Sequence, residues 1–311
     1  MSREIELENI EMRKILITGA TGKIGMSFVS ELSSSLSDWR LIIDTRNPQS
    51  QTVQFLKALC RHPVEAVTLD PSDLSKLPYL DGLTDVFIVA PFSPRIDLWH
   101  ERFLQLLEYN QIAPRIIKVS VTGAKNPKSN SGVGNVPGQH WLGEQKLRET
   151  GWDNVSIRPN IFMQHFMMNT GLYVKGENKF YLPYSDQGVS WIDCTDIAKC
   201  AYGLFADLGK FQKYNSTAFE LTGPKAISPK EMAQVLTHLK GEKVIHYDSM
   251  QAFEQRCAEL AIKDNIKHFY KEAGEGWFSH IETKAFRDIT AKLPKSFAEF
   301  ALQNRYWFHQ S

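Results

Sequence analysis

The sequence predicts an α/β chain built on a doubly wound parallel sheet, followed by a smaller α/β lobe. Two patterns carry the prediction. Five short apolar runs alternate with longer helical or crossover segments before Val121, and parallel neighbours need such crossovers. The first run breaks into glycines spaced three apart, in "KILITGATGKIG" from Lys14 to Gly25.

The elements follow in order. "KILITG" reads as the first strand, ending at Thr18, with a helix near Ile24 to Leu36. "WRLIID" is the second strand, and a helix around Val53 to Arg61 leads into "VEAVTLD". "DVFIVA", a helix from about Leu98 to Tyr109, and "RIIKVSV" complete a five-stranded, Rossmann-like lobe. Beyond Gly151 the pattern loosens. "NVSIRPN" and "AFELTG" read as strands, while "FMQHFMMNTGLYV", "SPKEMAQVLTHLK" and "DSMQAFEQRCAELA" read as helices. No repeat, low-complexity tract or Pro/Ser-rich linker separates the halves. The expected division is 13–155 for the Rossmann-like domain and 156–311 mainly for a substrate-binding lobe that returns segments to it, with 1–12 flexible.

Composition narrows the function classes. A chain of 311 residues, 42% hydrophobic and 23% charged, is long enough for one large core and a smaller one. A formal net charge of +1 offers no electrostatic case for nucleic acid or an anionic membrane. "MSREIELENIEM" lacks the basic start and apolar stretch of a secretory signal. No apolar run approaches the ~20 residues of a spanning helix, so a soluble, cytoplasmic protein is expected. Cys60, Cys194, Cys200 and Cys257 form no CxxC and no metal-like cluster with histidine, which reads as reduced thiols and no metal.

Gly19, Gly22 and Gly25 sit at the first strand–helix junction, with Thr21, Lys23 and Ile24 around them. Glycine reaches backbone angles closed to other residues, and its missing side chain lets phosphate oxygens approach main-chain N–H groups at a helix N-terminus. The pattern is a dinucleotide pyrophosphate cradle, a variant of GxGxxG. At the end of the second strand, "LIIDTRNP", both Asp44 and Arg46 occur. A carboxylate there favours NAD by binding the ribose, and an arginine favours NADP by pairing its 2′-phosphate. Asp44 falls inside the strand whereas Arg46 lies where it turns outward, so NADP is expected.

"KILITGATGKIG", "TRNP", "KVSVTGA", "HWLGEQKLRETGWDNVSIRPNIF", "VSWIDCTDIA" and "FELTG" together resemble the NmrA-like branch of the atypical short-chain dehydrogenase/reductases, nearly throughout the chain from Lys14. "HWLGEQKL" most resembles the subgroup of quinone oxidoreductase 2-like proteins and ergot-alkaloid iminium reductases. The resemblance implies bound NADP with its nicotinamide near the ends of the fourth and fifth strands. Carried onto this chain, it points to Ala90, Pro91 and Phe92, to Ser120 and Val121, and to Pro159, Asn160 and Phe162. It also marks a departure. Where catalytic members of the wider superfamily carry Tyr-x-x-x-Lys and then Glu four residues on, alignment on Glu144 puts Val136 at the tyrosine and His140 at the lysine. His140 and Glu144 share a helix face, so Glu144 would orient an imidazole that touches the nicotinamide ribose. His140 and Ser120 are the catalytic candidates.

Losing the tyrosine changes the chemistry expected. Hydride delivery to an ordinary ketone develops an alkoxide, which needs a positioned acid or oxyanion stabiliser. A quinone gives a resonance-stabilised phenolate and an iminium ion gives a neutral amine, so positioning suffices for either. Phe166, Tyr173, Tyr184, Trp191 and Trp277 are the expected walls for such a flat, apolar substrate, with Met163, Met167, Tyr181, Phe269, Tyr270 and Phe278 nearby and Gly274 and Gly276 offering a lid. For Asp193 and Asp196 the resemblance implies a structural role, anchoring a helix start. Two alternatives stand beside the reductase: a dinucleotide-binding regulator that signals through a protein partner without turnover, and a cofactor-dependent isomerase or cyclase. A monomer or homodimer is expected.

Overall fold

The structure, a computed structural model, describes residues 12–91, 93, 95–125, 136–167, 173–174, 176–183, 188–260, 267, 278 and 283–309. Its strands are β1 Arg13–Ile17, β2 Trp39–Asp44, β3 Val64–Val67, β4 Asp85–Val89, β5 Arg115–Val119, β6 Asn154–Pro159, β7 Tyr173–Val174, β8 Lys179–Tyr181, β9 Thr217–Leu221 and β10 Ile245–Tyr247. The first helices are α1 Lys23–Ser33, α2 Gln51–Leu59, α3 Ile96–Tyr109, α4 Val136–Glu149, α5 Cys194–Ala206, α6 Leu208–Tyr214, α7 Pro229–Lys240 and α8 Met250–Glu259. The main sheet has seven strands in the order β3-β2-β1-β4-β5-β6-β9, and β10-β8-β7 form a second sheet.

Pairings β1–β2, β2–β3, β1–β4 and β4–β5 are parallel. Strands buried on both faces read as unbroken apolar runs. Accordingly Ile15, Leu16 and Ile17 of β1, Leu41, Ile42 and Ile43 of β2, and Val86, Phe87 and Ile88 of β4 are fully buried. Strand order reverses at β1, which lies between β2 and β4. In such sheets the crevice beyond the carboxyl ends at the reversal point is where ligands bind, and the three glycines stand there.

Chain contacts divide into two compact units, one of residues 1–119, 139–156 and 201–218, the other of 120–138, 157–200 and 219–311. In the first, Leu16, Val86, Ile88, Phe103, Leu107, Ile116 and Leu147 build a core on one side of the strands. Phe28 of α1 meets Phe87, their rings 4.1 Å apart. Asp85, fully buried, takes Arg13 at 2.8 Å and Arg115 at 2.7 Å. The two guanidiniums are themselves covered by Trp39 and Phe211.

In the second unit, α7 carries complete terminal signals: Ser228 and Glu231 form a capping box, Pro229 opens the helix, and Gly241 closes it at φ 70°. The start of α5 is held by Asp193, whose Oδ1 accepts the Thr195 N–H at 2.7 Å. Lys295 ties down both acids, its Nζ 3.1 Å from Asp193 and its N–H donating to Asp196 at 2.6 Å. Asp193 and Asp196 are anchors, as expected.

"FMQHFMMNTGLYV" is not the continuous helix expected. Met163–Met167 forms a short 3-10 turn and Tyr173–Val174 pairs antiparallel with β8 across a hairpin that passes Gly176 at φ 76° and Asn178 at φ 50°. The first half keeps apolar residues four apart, Phe162 with Phe166 and Met163 with Met167, but Asn169, Thr170 and Gly171 interrupt that period before Tyr173. Of the expected flexible 1–12, all but Met12 lies outside the described residues.

Candidate functional site

The glycine turn is built by backbone alone. Gly19 holds φ 62°, Gly22 N–H donates to Gly19 O at 3.0 Å, and Gly22 becomes the N-cap of α1 with no side-chain cap. A Cβ on Gly25 would lie 2.4 Å from Gly19 O and 2.6 Å from Ala20 Cα, so only glycine lets α1 start this close to the turn. A Cβ on Gly22 would meet only Gly19 O, at 3.3 Å. Thr21 is half-buried and Gly22 and Lys23 are exposed, whereas Ile24 and Gly25 pack inward. The first turn of α1 contains no acid. An exposed helix N-terminus with no carboxylate and no capping side chain favours an anion. The fit to a pyrophosphate is good.

Thr18 fastens this turn to β4. Its Oγ1 donates to Val89 O at 3.1 Å and accepts the Val89 N–H at 3.0 Å. Ala90, half-buried, and Pro91, exposed, follow directly. Phe92 lies outside the described residues.

At the end of β2 the two candidate residues separate. Asp44 Oδ1 accepts the Leu69 N–H at 2.9 Å, and burial pushes its carboxyl above the usual range. It serves the chain leaving β3. Arg46 is exposed, two residues beyond the Asp44 strand end.

His140 lies on α4, one turn after Val136. Its Nδ1 is 3.1 Å from Nζ of Lys118, a lysine fully buried in β5. Burial, then Lys118 and then His100, hold the His140 imidazole well below the ordinary histidine range, so it is neutral. His100 of α3 stands beside it, ring centroids 6.1 Å apart. His100 Nδ1 donates to Ile96 O at 2.8 Å, while its buried Nε2 finds no partner among the described residues. Burial and Lys118 keep it neutral as well. Gly143 makes room for this packing, since a Cβ there would meet His100 Nδ1 at 2.8 Å. Glu144, buried, pairs with Arg148 at 3.4 Å. Sequence spacing pointed to Glu144 as the partner of His140 and missed Lys118, His100 and Gly143. A signal for Lys118 was present: a cation between the apolar residues of "IIKV" in the interior of a strand.

The remaining candidates belong to the other unit. Ser120 is buried and its N–H donates to Ile157 O at 2.7 Å, with half-buried Val121 next to it. Pro159 and Asn160 are buried. Asn160 Oδ1 accepts the Ile161 N–H at 2.8 Å and its amide donates to Phe278 O at 3.3 Å. Phe162 is half-buried and forms a bridge with Ile192. Phe166, Tyr173 and Trp191 lie in the aromatic core of this unit, where Phe166 packs edge-on against Phe180 and Trp191. Buried polar atoms are normally paired, yet Tyr173 Oη, Ser190 Oγ and Trp191 Nε1 have no partner among the described residues. Burial, with Glu242 adding to it, pushes the Tyr173 hydroxyl up to about 12. Tyr184, Trp277 and the lid glycines Gly274 and Gly276 lie outside the described residues. All four cysteines are buried and form no disulfide among the described residues, and no described helix is long and apolar enough to cross a membrane.

No family model matches the chain. It is 25% identical over 300 residues to the NAD(P)H azoreductase of Xenophilus azovorans, which covers 92% of this chain and 96% of the relative. It is 26% identical over 161 residues to the festuclavine dehydrogenase of Aspergillus fumigatus, 49% of this chain and 53% of that one. A solved NADPH-dependent quinone oxidoreductase from Escherichia coli, complexed with NADPH, superposes with TM-score 0.77 at 17% identity, covering 94% of this chain and 99% of the other. NmrA, a negative transcriptional regulator in complex with NAD, superposes with TM-score 0.73 at 13% identity, covering 94% and 95%. The two structures establish the fold.

Proposed function

We infer that this chain, whose relatives and structural neighbours are consistent with the NmrA-like atypical short-chain dehydrogenase/reductases, is an NADPH-dependent oxidoreductase. Its hydride acceptor, in this reading, is an apolar conjugated electrophile, an iminium ion or a quinone-like compound. The supporting observation is the cradle at the reversal point of the sheet, where Gly25 accepts no side chain and α1 begins uncapped. Gly19, Thr21, Gly22, Lys23, Ile24 and Gly25 would hold the pyrophosphate. Arg46 would pair the 2′-phosphate, because the Asp44 carboxylate is already engaged by Leu69.

Bound NADPH supplies the hydride. The chain's own residues bind, orient and exclude water. Ala90 and Pro91 are proposed to meet the nicotinamide, with His140 at its ribose. With Val136 at the tyrosine position, acceptors that develop little localised charge are favoured over aliphatic ketones. The names of the azoreductase, festuclavine dehydrogenase and quinone oxidoreductase support acceptors of this conjugated kind.

The test follows NADPH oxidation by nicotinamide absorbance against quinones, cyclic iminium ions and aliphatic ketones. Turnover of the first two classes and poor turnover of the third is expected. The likeness to NmrA favours a second reading, a nucleotide-bound regulator. Tight NADPH binding with no acceptor reduced and a co-purifying protein partner decides for it.

A further inference from the structure

Lys118 is an expensive residue to place in the middle of β5. It is fully buried in a strand whose neighbours Ile116, Ile117 and Val119 are buried too, and an isolated charge in such surroundings costs several kcal/mol unless it is hydrogen-bonded. One bond it makes reaches His140 Nδ1, at 3.1 Å. An ammonium only donates, so Nδ1 must accept, and a neutral imidazole then carries its proton on Nε2. His100, with Nδ1 donating to Ile96 O, holds the opposite tautomer and presents its bare Nε2 within the same cluster. His140 is therefore the one imidazole of the two set up as an Nε2–H donor, and it is half-buried where His100 and Lys118 are fully enclosed.

We propose that Lys118 is a positioning residue that locks His140 as an Nε2–H donor, and that the pair supplies the product proton when the acceptor is a quinone. The proposal rests on the reductase reading above. Hydride arriving on a quinone leaves a hydroquinone monoanion. His140 Nε2 gives its proton to the oxyanion as Nδ1 takes one from the Lys118 ammonium. Lys118 is left as a neutral amine, and a solvent proton restores it. An iminium ion becomes a neutral amine on receiving hydride and calls for no such proton. The pair thus separates the two acceptor classes.

Two measurements test this. In the unmodified full chain, 15N NMR of the histidine side chains should show His140 protonated at Nε2 and accepting at Nδ1. Lys118→Met should erase that preference. In the assay, Lys118→Met and His140→Gln should each lower the quinone-to-iminium ratio of kcat by about tenfold to hundredfold, the range expected for loss of a positioned acid. Lys118→Arg, which restores a cationic donor, should recover part of it. A His140 protonated at Nδ1 overturns the proposal even if Lys118→Met fails to fold. Equal loss on both acceptors, or none, with NADPH affinity retained, overturns it as well. If no acceptor is reduced, the reductase reading fails and the proton-supply half of the proposal falls with it, while the NMR result still decides whether Lys118 sets the tautomer.

Discussion

Gly22→Val and Gly25→Ala should separate nucleotide binding from folding, although the residues are three apart in one turn. At Gly22 the backbone is extended, φ −84° and ψ 171°, a region open to valine, and the nearest neighbour of a Cβ is Gly19 O at 3.3 Å. The fold accommodates that side chain with a shift of a few tenths of an ångström. The valine methyls, however, would stand over the exposed N–H groups that open α1. Losing one or two charge-assisted hydrogen bonds at about 1.5–3 kcal/mol each raises the Kd for NADPH roughly tenfold to several hundredfold or more. At Gly25 the added Cβ would sit 2.4 Å from Gly19 O and 2.6 Å from Ala20 Cα, both backbone atoms. No rotamer relieves that overlap. Forcing α1 away from the turn costs on the order of 3 kcal/mol, and at about 2–4 °C per kcal/mol for a domain of this size the melting temperature falls by several degrees. Calorimetric titration with NADPH, paired with thermal melting, reads both effects. Unchanged NADPH affinity in a folded Gly22→Val variant would refute the cradle.

Arg46→Ala should cost NADPH about 1.5–3 kcal/mol of binding and leave NADH affinity nearly unchanged; equal affinity of the unmodified protein for the two nucleotides removes the assignment. Asp85→Asn leaves two guanidiniums half-paired beneath the sheet, and a loss of about 3–5 kcal/mol is expected in denaturant melts. A loss under about 1 kcal/mol would mean the triad is no more than a surface pair. Mild acid should destabilise the fold. His100 and His140 titrate well below the ordinary value when folded, and His165 is lowered to about 4 by burial. Unfolded histidines take up protons near 6.5. The unfolded chain therefore binds more protons below that value, and the stability these groups provide is complete above pH ~6.5 and lost as pH falls, at up to about 1.4 kcal/mol per pH unit for each histidine. Stability measured by denaturant at pH 6.5 and pH 5 that does not change would contradict the lowered titration of all three.

Part of this molecule is written locally and part is not. The cradle was legible in "KILITGATGKIG" because its demands are local: a positive φ at Gly19, an extended N-cap at Gly22, a contact of Gly25 with atoms five and six residues away. The alternation of buried strands and helices is legible for the same reason, since periodicity records which face of each element meets apolar neighbours. The anchoring role of Asp193 came from the resemblance, and the Thr195 N–H only two residues on carries it out. Arg46 was separated from Asp44 by one turn of chain, but what engages Asp44 is Leu69, 25 residues away. Spacing along α4 drew attention to Glu144 as the neighbour of His140, because residues three and four apart on a helix are the neighbours a sequence displays. The atom bound to His140 Nδ1 instead comes from β5, 22 residues earlier. Likewise nothing near Asp85 announces that Arg13 and Arg115 converge on it, 72 residues before and 30 after. Backbone conformation and periodicity are decided within a few residues and survive in sequence. Which charge faces which imidazole is decided by parallel strands and crossing helices that bring distant segments within 3 to 4 Å, the range over which hydrogen bonds and ion pairs act.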